Sequence, residues 1–151
     1  MSELWKLDEG ALIDVLEKPM RDLRDVSRFD DKQIKTDLPE NSRQILTVKT
    51  YSMISATSRD SLQNPVVTCQ PHIAVYGHPA PSSDVERGYI RFVDANALRT
   101  PSYSAKDKLI NLYLDYRAMP QVLEKLQHAQ RYLWVGHFAH GHIYGDLHSA
   151  P

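Results

Sequence analysis

At residue 44 the apolar residues of this chain change their spacing from roughly three or four to two, and that switch limits the possible folds more than any other feature. Upstream of it, Asp8 is placed to cap a short helix whose Leu12, Val15 and Leu16 share one face. Pro19 breaks that helix or opens a second one, on which Met20, Leu23, Val26 and Phe29 form a narrow apolar stripe. Residues 30–44, with Pro39 and the Asn41-Ser42 pair as breakers, read as a linker. The pattern predicts a helical extension and linker over residues 1–43 and a β-rich α+β domain over residues 44–151.

Downstream, residues 44–56 alternate, with Leu46, Val48 and Ile54 on one face and Thr47, Lys49 and Tyr51 on the other. Residues 67–76 form a second run, with Ile73 and Val75 inward and His72 and Tyr76 outward. Pro71 in that run predicts an edge strand or a bulge. Gly77, Pro79 and Pro81 mark a turn, after which Ile90 and Phe92 point inward and Tyr89 and Arg91 outward.

Residues 104–118 fit two patterns. Ser104-x-x-Asp107 is a helix-capping signal, yet Ile110, Leu112, Leu114 and Tyr116 alternate as a strand. The strand is favoured because a cleaner helix follows, opening at Pro120 and burying Val122, Leu123, Leu126 and Ala129. Residues 131–138 and 141–149 then form a hairpin turning at Ala139-His140-Gly141. Because helices do not alternate with strands, the expected fold is α+β with a curved antiparallel sheet or small, partly open barrel. It has five to six strands and one inserted helix, and two short N-terminal helices precede it.

The chain of 151 residues is the size of one domain, and 42% hydrophobic with 25% charged residues excludes wholesale disorder. A net charge of −1 argues against a highly charged nucleic-acid coat. The single cysteine, Cys69, excludes an intramolecular disulfide. The acidic start MSELWKLDEG lacks a secretory pattern, and no apolar run approaches the ~18 residues of a membrane span. The expectation is a cytoplasmic protein without a membrane partner.

Eight tyrosines against three phenylalanines favour exposed binding faces, since tyrosine joins a flat stacking body to a polar tip. Lys49 with Tyr51, His72 with Tyr76, Tyr89 with Arg91, and Asn111 with Tyr113 repeat an aromatic-plus-polar pairing on strand faces. Residues 87–131 carry a local net charge of +4. Aromatics interleaved with cations on a curved sheet hold single strands in oligonucleotide-binding folds. The first expectation is therefore a non-enzymatic accessory module binding single-stranded nucleic acid or a nucleic-acid-associated protein, without a cofactor. Its contact residues would be Lys49, Tyr51, Tyr76, Tyr89, Arg91, Tyr113 and Trp134. A protein-recognition or inhibitor module would use the same residue types.

Five of the seven histidines fall in the last 24 residues, in and around HFAHGHIYGDLH. The alternative reading is a metal-dependent hydrolase in which His137, His140, His142 and Asp146 converge near the turn on a divalent transition metal such as zinc. Against it, Ile143 and Leu147 alternate with the polar residues, as on a solvated strand face opposite a core. There is no H-E-x-x-H, C-x-x-C, P-loop, GxGxxG or GxSxG pattern.

Overall fold

The computed structural model describes residues 8–21, 36–58 and 67–150. Helix α1 (Glu9–Arg21) leads into strands β1 (Ser42–Ser58), β2 (Val67–Pro79), β3 (Arg87–Val93), β4 (Ser102–Ser104) and β5 (Leu109–Asp115). Helix α2 (Met119–Lys125) and the hairpin β6 (Gln130–His137) and β7 (Ile143–Ala150) complete the chain. The strands form one curled sheet, ordered β4-β5-β3-β2-β1-β6-β7, that makes a half-barrel.

Two expectations about the sheet are corrected. It has seven strands among the described residues, and it is mixed, because β3 and β5 run parallel. The chain leaves β3, passes over to the outside strand β4, and turns back so that β5 fits between them. Parallel pairing needs such a crossover rather than a tight turn. Ser104 and Asp107 serve the turn between β4 and β5, where the Asp107 N–H donates to Ser104 Oγ at 3.3 Å, instead of capping a helix.

The curl is visible at Gly88. Flat, β3 and β6 would lie ~14 Å apart, three strand spacings. Yet a Cβ on Gly88 would fall 2.1 Å from Leu133 Cδ2 on β6. The inner face holds the larger core, with Leu46, Val75, Ile90, Phe92, Ile110 and Leu133 fully buried, and α2 lays Val122 and Leu126 on it. Each such side chain contributes roughly 1.5–3 kcal/mol by leaving water. Ala129, expected beside them, is exposed because α2 ends at Lys125.

The N-terminal helix is capped as expected, the Ala11 N–H donating to Asp8 Oδ1 at 2.7 Å. It continues through Pro19 to Arg21 instead of breaking there. The stripe Leu23, Val26 and Phe29 lies outside the described residues. Leu12 and Leu16 pack on the outer face of the sheet with Ile45, Tyr132 and Trp134. Glu17 pairs with Arg43 at 2.8 Å, and Glu9 accepts hydrogen bonds from Ser82 N and Oγ. The outer face around Trp134 is thus covered by α1 and is not a solvated strand face.

Two bulges shape β1 and β2. Val48 pairs with Gly77 and Thr50 with Tyr76, so Lys49 is an extra residue on β1. Beyond it, side chains exchange faces. Tyr51 pairs with Val75 on the inner side, and Ile54 pairs with His72 on the outer side, 48% exposed. This reverses the sequence alternation for both residues. The second bulge places Gln70 and Pro71 opposite Ser55, as Pro71 suggested.

Candidate functional site

On the outer face, β2, β3 and β5 bring two rows of side chains into register. His72, Arg91 and Tyr113 lie across one row, and Ala74, Tyr89 and Asn111 across the next. The strict alternation of β3 sends Tyr89 and Arg91 outward because Ile90 and Phe92 are fixed in the core. The Arg91 guanidinium carbon stands 5.0 Å from the Tyr89 ring centroid, and its Nε donates to Asn111 Oδ1 at 3.2 Å. The His72 and Tyr89 rings meet in a T-shaped arrangement, centroids 5.6 Å apart.

After β3 a single turn, Ala95–Ala97, swings the chain back so that Arg99 lies over Tyr113, 5.9 Å from its centroid. Arg91, Val93, Ala97, Arg99 and Tyr113 line an open hollow of about 290 Å³. Arg43 and Arg117 have carboxylate partners, Glu17 and Asp115, at 2.8 Å. Neither Arg91 nor Arg99 has one among the described residues. The hollow therefore offers two guanidinium groups with donors left for an anion and one tyrosine ring, Tyr113, for a planar group, while Tyr89 lies outside the lining against Arg91.

The other expected contact residues are distributed unevenly. Tyr76 lies on this same face, 44% exposed, opposite Thr50 and Arg87. Tyr51 is on the opposite face, beneath Arg131 at 5.4 Å. Lys49 occupies the bulge, its carbonyl accepting from Arg131. Trp134 is fully buried under α1 and is not a contact residue. Nothing local in the sequence marks Arg99, because only the β3–β5 pairing brings its loop to Tyr113. The positive charge of residues 87–131 was the sole signal for it.

The C-terminal histidines do not converge. His137 Nδ1 is 2.8 Å from the Leu38 carbonyl on the inner side. His140 sits exposed at the apex of the turn in the left-handed region, φ 61°. His142 is buried against the Phe138 ring, and that burial lowers its pKa. Asp146 lies on the outer face, where Trp134 Nε1 donates to Oδ1 at 2.8 Å and the Tyr144 hydroxyl to Oδ2 at 2.7 Å. Burial raises the Asp146 pKa, while its hydrogen bond with Tyr144 opposes that shift; burial first, then the Asp146 bond, raises the Tyr144 pKa. Among the described residues no three His, Cys, Asp or Glu side chains group to hold a metal ion, which corrects the expected convergence at the turn.

No helix among the described residues is long and apolar enough to cross a membrane. No protein-family model matches the chain, and neither the curated proteins nor the solved structures yield a match.

Proposed function

We propose that this protein is a small binding module whose outer sheet face holds a short stretch of single-stranded nucleic acid. The observation that carries the reading is the hollow in which Arg91 and Arg99, without carboxylate partners among the described residues, stand beside Tyr113, with Tyr89 against Arg91 next to it. Phosphates take up the guanidinium donors and bases stack on aromatic rings, the two contacts by which single strands are held without strict sequence choice. His72 and Asn111 extend the polar part of the face, and Tyr76 lies farther along it. The inner face is filled by core side chains and α2, which directs a ligand to the outer one.

Fluorescence anisotropy with labelled single-stranded DNA and RNA at low salt tests this directly. Binding in the micromolar range, weakening as salt rises, is the expected result. No binding at about 100 μM protein, the weak end of non-specific affinity, would reject the nucleic-acid reading and leave the same tyrosines and arginines as a protein-recognition surface.

A further inference from the structure

The sheet treats its edges unequally. Strand β4 is three residues long, and its free side is taken by the chain just before β1: the Tyr103 N–H donates to Thr36 Oγ1, and the Tyr103 carbonyl accepts from the Asp37 N–H, both at 3.0 Å. At β7, Lys125 Nζ covers the Leu147 carbonyl at 3.3 Å, and α2 packs alongside. Short edges and lysines are the usual devices that stop strands pairing with other chains.

Among the described residues, strand β1 has no such device over its second half. Its pairing with β6 ends at Thr47, and Arg131 occupies the carbonyls of Val48 and Lys49. From Thr50 to Ser58 the side that faced β6 carries no strand among the described residues, while β2 holds the other side. The sequence of this stretch, TYSMISATS, has no charge and no proline. Tyr51, Met53 and Ile54 within it are 40%, 41% and 48% exposed, half of the exposed large hydrophobics among the described residues.

We infer that this edge pairs with the same edge of a second copy, antiparallel about a two-fold axis at Ile54. Such pairing is isologous and closed, since each copy offers the segment it also accepts. Centred on Ile54, Thr50 faces Ser58 of the partner and all nine residues join the ladder, a strand length of ~30 Å. The absence of charge within residues 50–58 favours a second copy over a different protein, because no side chain of this stretch selects an oppositely charged partner or repels an identical one. The inference rests on the edge alone and does not depend on the nucleic-acid reading.

Sedimentation velocity of the full chain from about 1 to 200 μM, together with Ile54→Lys and Ile54→Glu, tests it; the substitutions sit on an exposed position and circular dichroism checks their folding. The expected result is a concentration-dependent rise to twice the 17.3 kDa chain mass. Each substitution places like charges across the axis and weakens the dimer by about tenfold, and an equal mixture of the two restores it. A single-chain mass throughout would overturn the proposal and assign the edge to another segment of this chain or to another partner. Growth beyond two copies, or a dimer indifferent to both substitutions, would overturn it as well.

Discussion

Arg131 on β6 reaches Lys49 on β1, its Nη2 donating to the Lys49 carbonyl at 2.7 Å where β1 carries its extra residue. The same guanidinium donates to the Val48 carbonyl and to Leu126 at the end of α2, and it covers the Tyr51 ring. One side chain therefore joins the bulge, the helix end and the residue whose face the bulge reverses.

Arg131→Met keeps much of the aliphatic stem and removes the three carbonyl bonds. Loss of at least about 1.5–3 kcal/mol of stability is expected, the range for one hydrogen bond from a charged donor. Urea unfolding checks it, and a change within about 0.5 kcal/mol would show that the bulge holds without the guanidinium.

Gly77 is required by the same bulge. A Cβ at Gly77 would sit 1.8 Å from the Thr47 carbonyl oxygen and 2.8 Å from its carbon, so β1 backbone would have to move. At Gly88 the nearest obstacle is the flexible end of Leu133. Gly77→Ala should therefore cost more than Gly88→Ala, by about 1 kcal/mol or more, since core overpacking that a side chain can absorb costs ~1–3 kcal/mol. Thermal unfolding of the two variants in parallel gives the comparison; equal losses would contradict it.

The bulge also marks what the sequence could convey. Ile90 and Phe92 against Tyr89 and Arg91 alternate without interruption, and the structure keeps that alternation. Tyr51 and Ile54 follow the same local rule, but one extra residue at Lys49 exchanges their faces, and no local pattern announces a bulge held by a residue 82 positions away. The parallel partner of β3 was illegible for a similar reason: Leu112 reads as a strand residue whichever neighbour it pairs with. Trp134 looked like an anchor because aromatic residues serve both surfaces and cores, and only the packing of Leu12 and Leu16 decides between them. Tyr89, Arg91 and Tyr113 were legible as candidates, whereas their junction with Arg99 depends on long-range pairing.

His142 gives the fold a dependence on pH. Burial lowers its pKa below the ordinary 6.5, so the folded state favours the neutral ring. The contribution is present above the unfolded pKa and is lost as pH falls through the lowered folded value. His142→Gln should reduce the fall in melting temperature below about pH 6.5, measured against the parent in matched buffers. An unchanged acid-side slope would place that loss on other groups.

Tyr89 contacts both the His72 ring and the Arg91 guanidinium, so its truncation removes a stacking ring of the proposed face while leaving the core behind it. Tyr89→Ala should weaken single-strand binding by about 1–3 kcal/mol, the range for one stacked base. Tyr116→Ala, changing an exposed tyrosine beyond the end of β5 that neither lines the hollow nor stacks against Arg91 or Arg99, serves as the control and should leave binding unchanged. Equal effects of the two substitutions in the anisotropy assay would argue against stacking at Tyr89.

Arg99 and Arg117 separate a phosphate contact from a mere positive charge. Arg99 lines the hollow over Tyr113 without a carboxylate partner among the described residues. Arg117 is exposed, but Nη2 and Nε both bond to Asp115, 2.8 and 3.2 Å away, so its charge is already matched. Each phosphate neutralised on a single strand contributes about −0.7 to the slope of log K against log salt. Arg99→Ala should make that slope shallower by about this amount, whereas Arg117→Ala should leave it near the parent value. The check is a salt titration of all three proteins on one labelled strand. If both substitutions flatten the slope equally, binding responds to overall charge rather than to the hollow between Arg91, Arg99 and Tyr113.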